Sequence, residues 1–413
     1  MPRKSKQKHH AKITEHVEHP HDDIDLDIEE NSGTEIDTTV PPLSILPLSP
    51  HAIKRQGIRA FVRGNYDLQK LRIQFGNRIC AEHKVRLGQA PSTSEKDMQK
   101  EAKVILANVR QEYKKVTDGF TRLPAKNDFG EFLARANGGE TTNPPDRRGQ
   151  TVISDYTMFC LVQRYLDLEA NELEGFHQLG ELLLDFPIYT EWLSKQIGVG
   201  PALAGVIVSE FDIYRAKYPS SLHMYAGLDV VRDVDSRGRS KRAEHLVDRE
   251  YKGRDGKMHM KKGITYNPFL KTKLMGVLGS SFLRAVEKKD GKTVRGEDGK
   301  SVKSSPYAKV YADYKHRLEN HEKYGIANDK ARIAQYREET KSASHPGGKK
   351  YAPKGHRHMM ATRYAVKRFL VDLYNVWRKL ENLPVAPEYS VAKLGIVHSH
   401  PPLTREGTEE AAA

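Results

Sequence analysis

Glycine and proline restrict the backbone of one short apolar stretch, residues 197–208, more tightly than elsewhere in the chain. It begins Ile-Gly-Val-Gly-Pro and continues with small and branched apolar residues. We expect Gly200 to adopt a positive φ, which residues with a Cβ atom resist. Pro201 sets the φ of a helix's first turn, where no amide donor is needed. The stretch therefore predicts a tight turn between two helices, with the amide groups of the second helix exposed.

Exposed amides at a helix N-terminus suit a phosphate oxygen. Two helices joined by such a turn form a helix-hairpin-helix, a motif that contacts the nucleic-acid backbone without reading bases. The charge points to the same partner. Residues 1–14 carry five Lys or Arg and residues 15–38 carry ten Asp or Glu, so these two segments together have a charge of −5. Because the net charge of the chain is +14, residues 39–413 carry +19. So strong a positive charge indicates that the binding partner is a polyanion, usually nucleic acid. The alternative interpretation is that the charge serves only to keep the protein soluble.

The composition excludes several classes of protein. Only two cysteines occur, Cys80 and Cys160, so we expect no disulfide framework and no cysteine-based zinc site. No apolar run is long enough to span a membrane, and no apolar segment follows the basic N-terminus as in a secretory signal. These features predict a cytoplasmic protein with no membrane partner. Walker, nucleophile-elbow and HExxH patterns are absent from the sequence.

The hydrophobic periodicity predicts a mainly α fold. We expect helices over about 52–87, from about 92 to 116, and over 154–186, 265–286, 307–324, 327–340 and 359–380, with loop-like residues at 120–150. The helix at 154–186 is either a coiled coil or a core helix of a bundle, and its two glycines, Gly175 and Gly180, favour the core helix. Acids in the N-terminal helices, among them Asp67, Glu112, Asp167 and Glu169, fit solvated helix faces.

The predicted organisation has five parts. They are a disordered tail (1–50), a helical region, coiled-coil-like in one interpretation (51–190), a helix-hairpin-helix domain (191–286), a C-terminal helical region (287–400) and a second disordered tail (401–413). Within the third part, residues 237–262 hold ten Lys or Arg against four Asp or Glu. A turn pattern at 253–256 lies there between two strand-compatible runs, 245–251 and 257–260. This segment predicts a small, basic, exposed β-hairpin.

Two further groups of residues have competing interpretations. The first is a Gly- and Lys-rich loop whose histidines and cations suit phosphate contact, a metal site or a plain exposed loop. Its members are His345, Lys349, Lys350, Lys354, His356, Arg357 and His358. The second is a stripe of Tyr307, Tyr311 and Tyr314, which fits a packed helix face better than a base-stacking platform.

Four segments, in order, resemble a known family. They are Gln-Ile-Gly-Val-Gly-Pro (196–201), Tyr-Pro-Ser-Ser-Leu-His-Met-Tyr-Ala-Gly-Leu (218–228), Asp-Ser-Arg-Gly-Arg-Ser-Lys-Arg (235–242) and Tyr-Asn-Pro-Phe-Leu-Lys-Thr-Lys-Leu (266–274). Residues 193–285 thereby resemble the C-terminal domain of insertion-sequence transposases of the IS-one-ten class, over about a quarter of the chain. The resemblance implies a transposase-like protein of DNA transposition and recombination, in which this domain supplies a serine nucleophile and a structured RNA guides some members.

The residue nearest the nucleophile's position is Ser236, and the alternative is an ordinary polar loop serine. A serine hydroxyl needs a base or a metal-bound acid for activation, and neighbouring cations can neutralise the scissile phosphate. The family's N-terminal half is an RNase-H-like domain with four metal-binding acids, yet residues 52–190 have a helical pattern. Two functions therefore stay open. The chain is either a transposase that retains strand exchange or a non-catalytic, structure-selective nucleic-acid-binding protein.

The predicted site has a tentative catalytic residue, Ser236, and no metal ligands. Its predicted DNA contacts are Lys195, Gly198, Gly200, Pro201, Arg237, Arg239, Lys241, Arg242, Lys261 and Lys262. We identify no cofactor; Mg²⁺ enters only if the catalytic acids are supplied from elsewhere. The predicted partner is DNA, and a guide RNA and a second copy of the chain remain open.

Overall fold

The computed structural model describes residues 51–388 except 91, 93–104, 120, 147–148, 230–245, 254–255, 297–298, 300 and 343. The fold is mainly α, as the periodicity predicted. The longer helices are α1 (Ala52–Arg86), α2 (Ile105–Thr117), α3 (Phe129–Ala136), α4 (Tyr156–Leu183), α5 (Pro187–Glu191), α6 (Pro201–Glu210), α7 (Pro219–Tyr225), α8 (Pro268–Thr272), α9 (Gly279–Arg284), α10 (Pro306–Glu319), α11 (Asp329–Glu339) and α12 (Pro353–Leu380).

Strands are short and pair locally. They form one antiparallel hairpin of β1 (Leu246–Lys252) with β2 (Met258–Ile264), and a smaller one of β3 (Lys288–Lys289) with β4 (Lys292–Thr293). A 3₁₀ turn, Leu193–Lys195, lies between α5 and α6, and a π-helical segment, Lys273–Leu278, joins α8 to α9. The first hairpin confirms the β-hairpin that was predicted within residues 237–262.

Helices α1 and α4 form a long antiparallel pair. Lys54 of α1 bridges to Asp185 just beyond α4 at 2.8 Å, while Arg72 further along α1 reaches Glu172 at 2.6 Å. Gly175 makes this pairing possible, because a Cβ atom there would overlap the buried side chain of Asn65. The core-helix interpretation of residues 154–186 is thus confirmed, and its glycine marks a helix contact.

Helix α6 is the buried centre of the main core. Every residue from Leu203 to Glu210 is buried, and the helix packs against both α1 and α4. The same core includes Leu270 and Leu278 from the helices after the β-hairpin and Trp377 from α12. A helix apolar on all sides needs neighbours all round. Its surroundings fix α6, and the turn that precedes it, in one position.

Helix α12 covers the far side of this core. It packs on α10, and Tyr307 of α10 is buried with its hydroxyl donating to Asp372 at 2.9 Å. The Tyr311 hydroxyl forms a hydrogen bond with Nδ1 of His358, and Tyr314 stacks on Tyr364 with ring centroids 4.2 Å apart. The tyrosine stripe is therefore a packed helix face, as favoured from its spacing.

A second core lies between α2, α3 and the other end of the α1–α4 pair. It contradicts two expectations. Residues 120–150 contain α3, because Phe129, Phe132 and Leu133 supply a buried apolar face. Glu112 is buried, not solvated: its carboxylate accepts from the amides of Val152 and Ile153 at 2.7 and 2.9 Å. Burial nevertheless dominates and raises the pKa of Glu112.

None of the described helices is both long and apolar enough to cross a membrane.

Candidate nucleic-acid interface

The predicted turn lies at the surface, in front of the buried helix α6. The amide of Val199 donates to the carbonyl of Gln196 at 3.1 Å, which closes a four-residue turn. Gly198 is its third residue and has φ 90°, the position where a type II turn needs glycine. Gly200 has φ −87° and ψ 175°, an extended conformation open to other residues. The expectation of a positive φ at Gly200 was therefore wrong, and Gly198 carries it.

Close packing is a second physical requirement for glycine at position 198. A Cβ atom at this position would lie 3.0 Å from Cβ of Ser281 in α9 and 3.3 Å from that residue's backbone carbon. The turn is consequently seated on α9. Arg284, an exposed cation three residues further along α9, lies on the same side as this contact; the sequence prediction missed it.

The N-terminus of α6 is accessible, as predicted. Pro201 occupies the first helical position and Gly200 is the N-cap, and both are exposed. Gly200 has no side chain to cap the helix. The amides of Gly200 and Ala202 accordingly have no acceptor within the described ranges. Two such amides at the positive end of a helix are the arrangement that binds phosphate oxygen.

Lys195 is the predicted contact closest in sequence to the turn. Its side chain is 64% exposed and pairs with Glu191 at 3.6 Å. An exposed pair of this kind is weak and easily exchanged for another anion. Lys195 is therefore available to a phosphate near the turn.

Glu210 holds the opposite end of α6. Its side chain is fully buried and accepts from Arg63 at 2.6 Å and from the amide of Asn267 at 2.6 Å, with Arg59 at 3.3 Å. Arg63 also lies over the ring of Phe269, 3.7 Å from its centroid. This cluster joins α1, α6 and α8. The apolar pattern of 197–208 gave no indication of it, because its partners lie far away in sequence.

The same cluster brings together two of the segments on which the family resemblance rests, 218–228 and 266–274. The backbone amide of Asn267 donates to the carbonyl of Tyr225 at 2.8 Å, and its side chain contacts both Glu210 and the Tyr225 hydroxyl. Gly227 packs beneath the ring of Tyr266. Helix α7 begins at Pro219 with Tyr218 as N-cap, and Gly227 with φ 62° follows its end.

An open cavity of about 730 Å³ lies beside this cluster, between the start of α1 and the end of α6. Arginines line it, yet Arg55 pairs with Asp212 at 3.0 Å and Arg59 pairs with Glu210. Acids therefore already neutralise two of the three arginines that line the cavity, which leaves the exposed Arg215 to attract phosphate. The turn remains the better candidate for backbone contact.

The β1–β2 hairpin, here called the ribbon, is the second candidate surface. Each strand pairs mainly with the other, in a register that sets Lys261 opposite Arg249 and His259 opposite Tyr251. The turn between them has Gly256 at φ 75°. Lys261 is exposed, as expected of a DNA contact; of Lys262 the structure describes only the backbone, within β2.

Other predicted residues lie outside the described ones. These are Ser236, Arg237, Arg239, Lys241 and Arg242. Over the part of the chain that the structure describes, no group of three or more His, Cys, Asp or Glu side chains is placed to hold a metal ion. The buried carboxylates Glu112, Glu172 and Glu210 are each held by amides or arginines. They do not form a set that fits Mg²⁺.

The residues of the Lys- and His-rich loop differ in burial. Lys349, Lys350 and Lys354 are exposed, in keeping with phosphate contact or a plain loop. Arg357 is buried and makes a two-pronged pair with Asp329 at 2.6 and 2.9 Å. The phosphate interpretation therefore does not fit Arg357, because its guanidinium would have to leave Asp329 and break a structural ion pair.

The chain matches no model of a known protein family, and searches of curated proteins and of solved structures find no significant match.

Proposed function

We propose that this chain is a transposase-like DNA-binding protein of DNA transposition and recombination. It contacts the DNA backbone through the turn before α6 and through the ribbon. The cytoplasm, with its nucleic acid, is the compartment we propose. A guide RNA and a second copy of the chain are further proposed partners.

The observation that carries this proposal is the N-terminus of α6. The amides of the exposed Gly200 and the half-buried Ala202 have no acceptor within the described ranges, while every residue from Leu203 to Glu210 is buried. A buried, fixed helix makes these donors a preformed phosphate site, because no ordering is needed on binding. The net charge of +14 and the exposed ribbon lysines add long-range attraction.

The test is a binding titration of the full chain on duplex and branched DNA over a salt series. Phosphate contacts release counterions, so log affinity should fall linearly with log salt concentration, with a slope of about −0.9 per contact on duplex DNA. Poly-glutamate of equal charge is the matched competitor. Absent or salt-independent binding, or equal competition by poly-glutamate, would remove the proposal.

A second candidate is a non-catalytic, structure-selective nucleic-acid-binding protein. It is favoured by the helical build of the described residues before the turn, where α1 and α4 form a long antiparallel pair. The two candidates differ over Ser236. Loss of Mg²⁺-dependent strand cleavage or exchange in Ser236→Ala, with DNA binding retained, would support the transposase proposal. If the unmodified chain does not cleave DNA, the second candidate is favoured.

A further inference from the structure

The two faces of the ribbon differ in charge. Side chains alternate between faces along a strand, and directly paired residues share a face. Asp248 and Glu250 of β1 therefore lie on the same face as Met258 and Met260 of β2. Tyr251, His259 and Lys261 lie on the other. Among the side chains that the structure describes in the two strands, both acids are on the methionine face.

The face of Tyr251, His259 and Lys261 has the features of a nucleic-acid surface. The Tyr251 and His259 rings lie side by side with centroids 5.7 Å apart, and Tyr251 is 48% exposed. Lys261 is the next residue of β2 on this face and is also exposed. A cation beside aromatic hydrogen-bonding groups, with no described acid among them, is complementary to phosphate and base edges.

The ribbon is also short of packing partners. Its strands pair mainly with each other, and the described side chains from Gly256 to Lys261 are all exposed. An isolated two-stranded hairpin is only marginally stable in water. Contact with a partner would therefore add packing to a ribbon whose described strand contacts are mainly internal.

We propose that the ribbon enters the major groove of duplex DNA with the face of Tyr251, His259 and Lys261 against the DNA. This inference rests on the proposed DNA-binding function and adds the groove, the face and the preference for B-form DNA. The B-DNA major groove, about 12 Å wide, admits a two-stranded ribbon whose strands lie about 4.8 Å apart. The deep, narrow major groove of A-form RNA excludes side chains.

Two lysines on opposite faces provide a matched test. Lys261→Ala removes a cation from the proposed DNA face, and Lys252→Ala removes an equally exposed one beside Met258. We expect Lys261→Ala to reduce the salt slope on duplex DNA by about one and to weaken binding up to about tenfold. Lys252→Ala should stay within about twofold, because it loses no phosphate contact. Equal losses in both variants would overturn the one-faced docking.

Methylation protection then tests the groove. Guanine N7 lies in the major groove, so the unmodified chain should protect it from dimethyl sulfate and Tyr251→Ala with Lys261→Ala should lose that protection. Three results would overturn the inference and leave the proposed function standing. The first is DNA binding without N7 protection, and the second is an equal effect of Lys261→Ala on binding to duplex RNA. The third is a variant that changes the oligomeric state and not the DNA affinity. No DNA binding by the unmodified chain would remove both.

Discussion

The turn before α6 and the ribbon are both exposed, but they are held in opposite ways. Gly198 is seated on Ser281, and the helix behind it is buried over eight consecutive residues and held at its far end by Glu210. The ribbon consists of two strands paired mainly with each other, with exposed side chains on both faces. The turn therefore offers fixed backbone donors, whereas the ribbon offers adaptable side chains.

This difference separates stability from binding. Residues that support the turn contribute to the core, so their replacement changes the free energy of unfolding. Ribbon residues contribute little to the core, so their replacement should change binding alone.

Removal of the Glu210 carboxylate should have the largest effect. Glu210→Ala removes the buried acceptor of Arg59, Arg63 and the Asn267 side chain. Because the two arginines are 42% and 41% exposed and stay partly hydrated, we expect a loss of about 3 kcal/mol, the lower end for a broken buried pair. Urea unfolding measures the loss. Glu191→Ala, which removes an exposed partner of Lys195 at 3.6 Å, is the control and should change stability by less than about 0.5 kcal/mol. A loss at Glu210 no larger than the control's would mean that the cluster does not hold α6.

Two glycines with positive φ compare the regions directly. Gly198→Ala meets both strain and the contact with Ser281, so we expect a loss of about 2–3 kcal/mol. Gly256→Ala has φ 75° but open space around it, and ribbon strain is released by local fraying. Global unfolding measured by circular dichroism should therefore barely change for Gly256→Ala. A similar loss at both sites would show that the ribbon is part of the cooperative core.

Local features were predictable from the sequence, and tertiary contacts were not. Helix α1 and the ribbon turn follow from periodicity and from glycine at 253 and 256, which act within a few residues. The choice between Gly198 and Gly200 depends on Ser281, more than eighty residues away in sequence. The buried roles of Glu112, Glu210 and Arg357 also depend on partners at least 28 residues away in sequence. A charged residue in a helical pattern has the same sequence signature whether it is solvated or paired.

The environment of Lys273 gives the body a pH dependence. Lys273 lies over the ring of Tyr66, 3.4 Å from its centroid, and burial, with Arg63 nearby, lowers the pKa of Lys273 to about 8. Above pH 8 the folded lysine loses its proton while the unfolded one keeps it up to its ordinary pKa of 10.5. Stability should therefore rise with pH across this window.

Urea midpoints between pH 7 and 10 should show this rise in the unmodified chain and a smaller one in Lys273→Met. Lys309→Met, at a lysine whose side chain is 81% exposed, is the matched control and should keep the full rise. An unchanged rise in Lys273→Met would mean that this lysine is not protonated differently in the two states.

We expect Gly200→Ser to change stability only slightly and to separate stability from binding most sharply. The extended backbone of Gly200 suits serine, the preferred N-cap, and its hydroxyl would accept from the amide of Ala202. The fold should gain up to about 1 kcal/mol, since the cap satisfies an orphan donor and the unfolded chain loses freedom.

The same hydroxyl should weaken DNA binding, because it occupies a donor that the proposed phosphate contact uses. Gly57→Ser, at an exposed and open position of α1, is the control for the added hydroxyl and should leave affinity nearly unchanged. Stabilisation without loss of affinity at Gly200 would imply that phosphate does not approach the amide of Ala202. The binding then observed would depend on the ribbon, and the fixed turn would be a structural corner of the core.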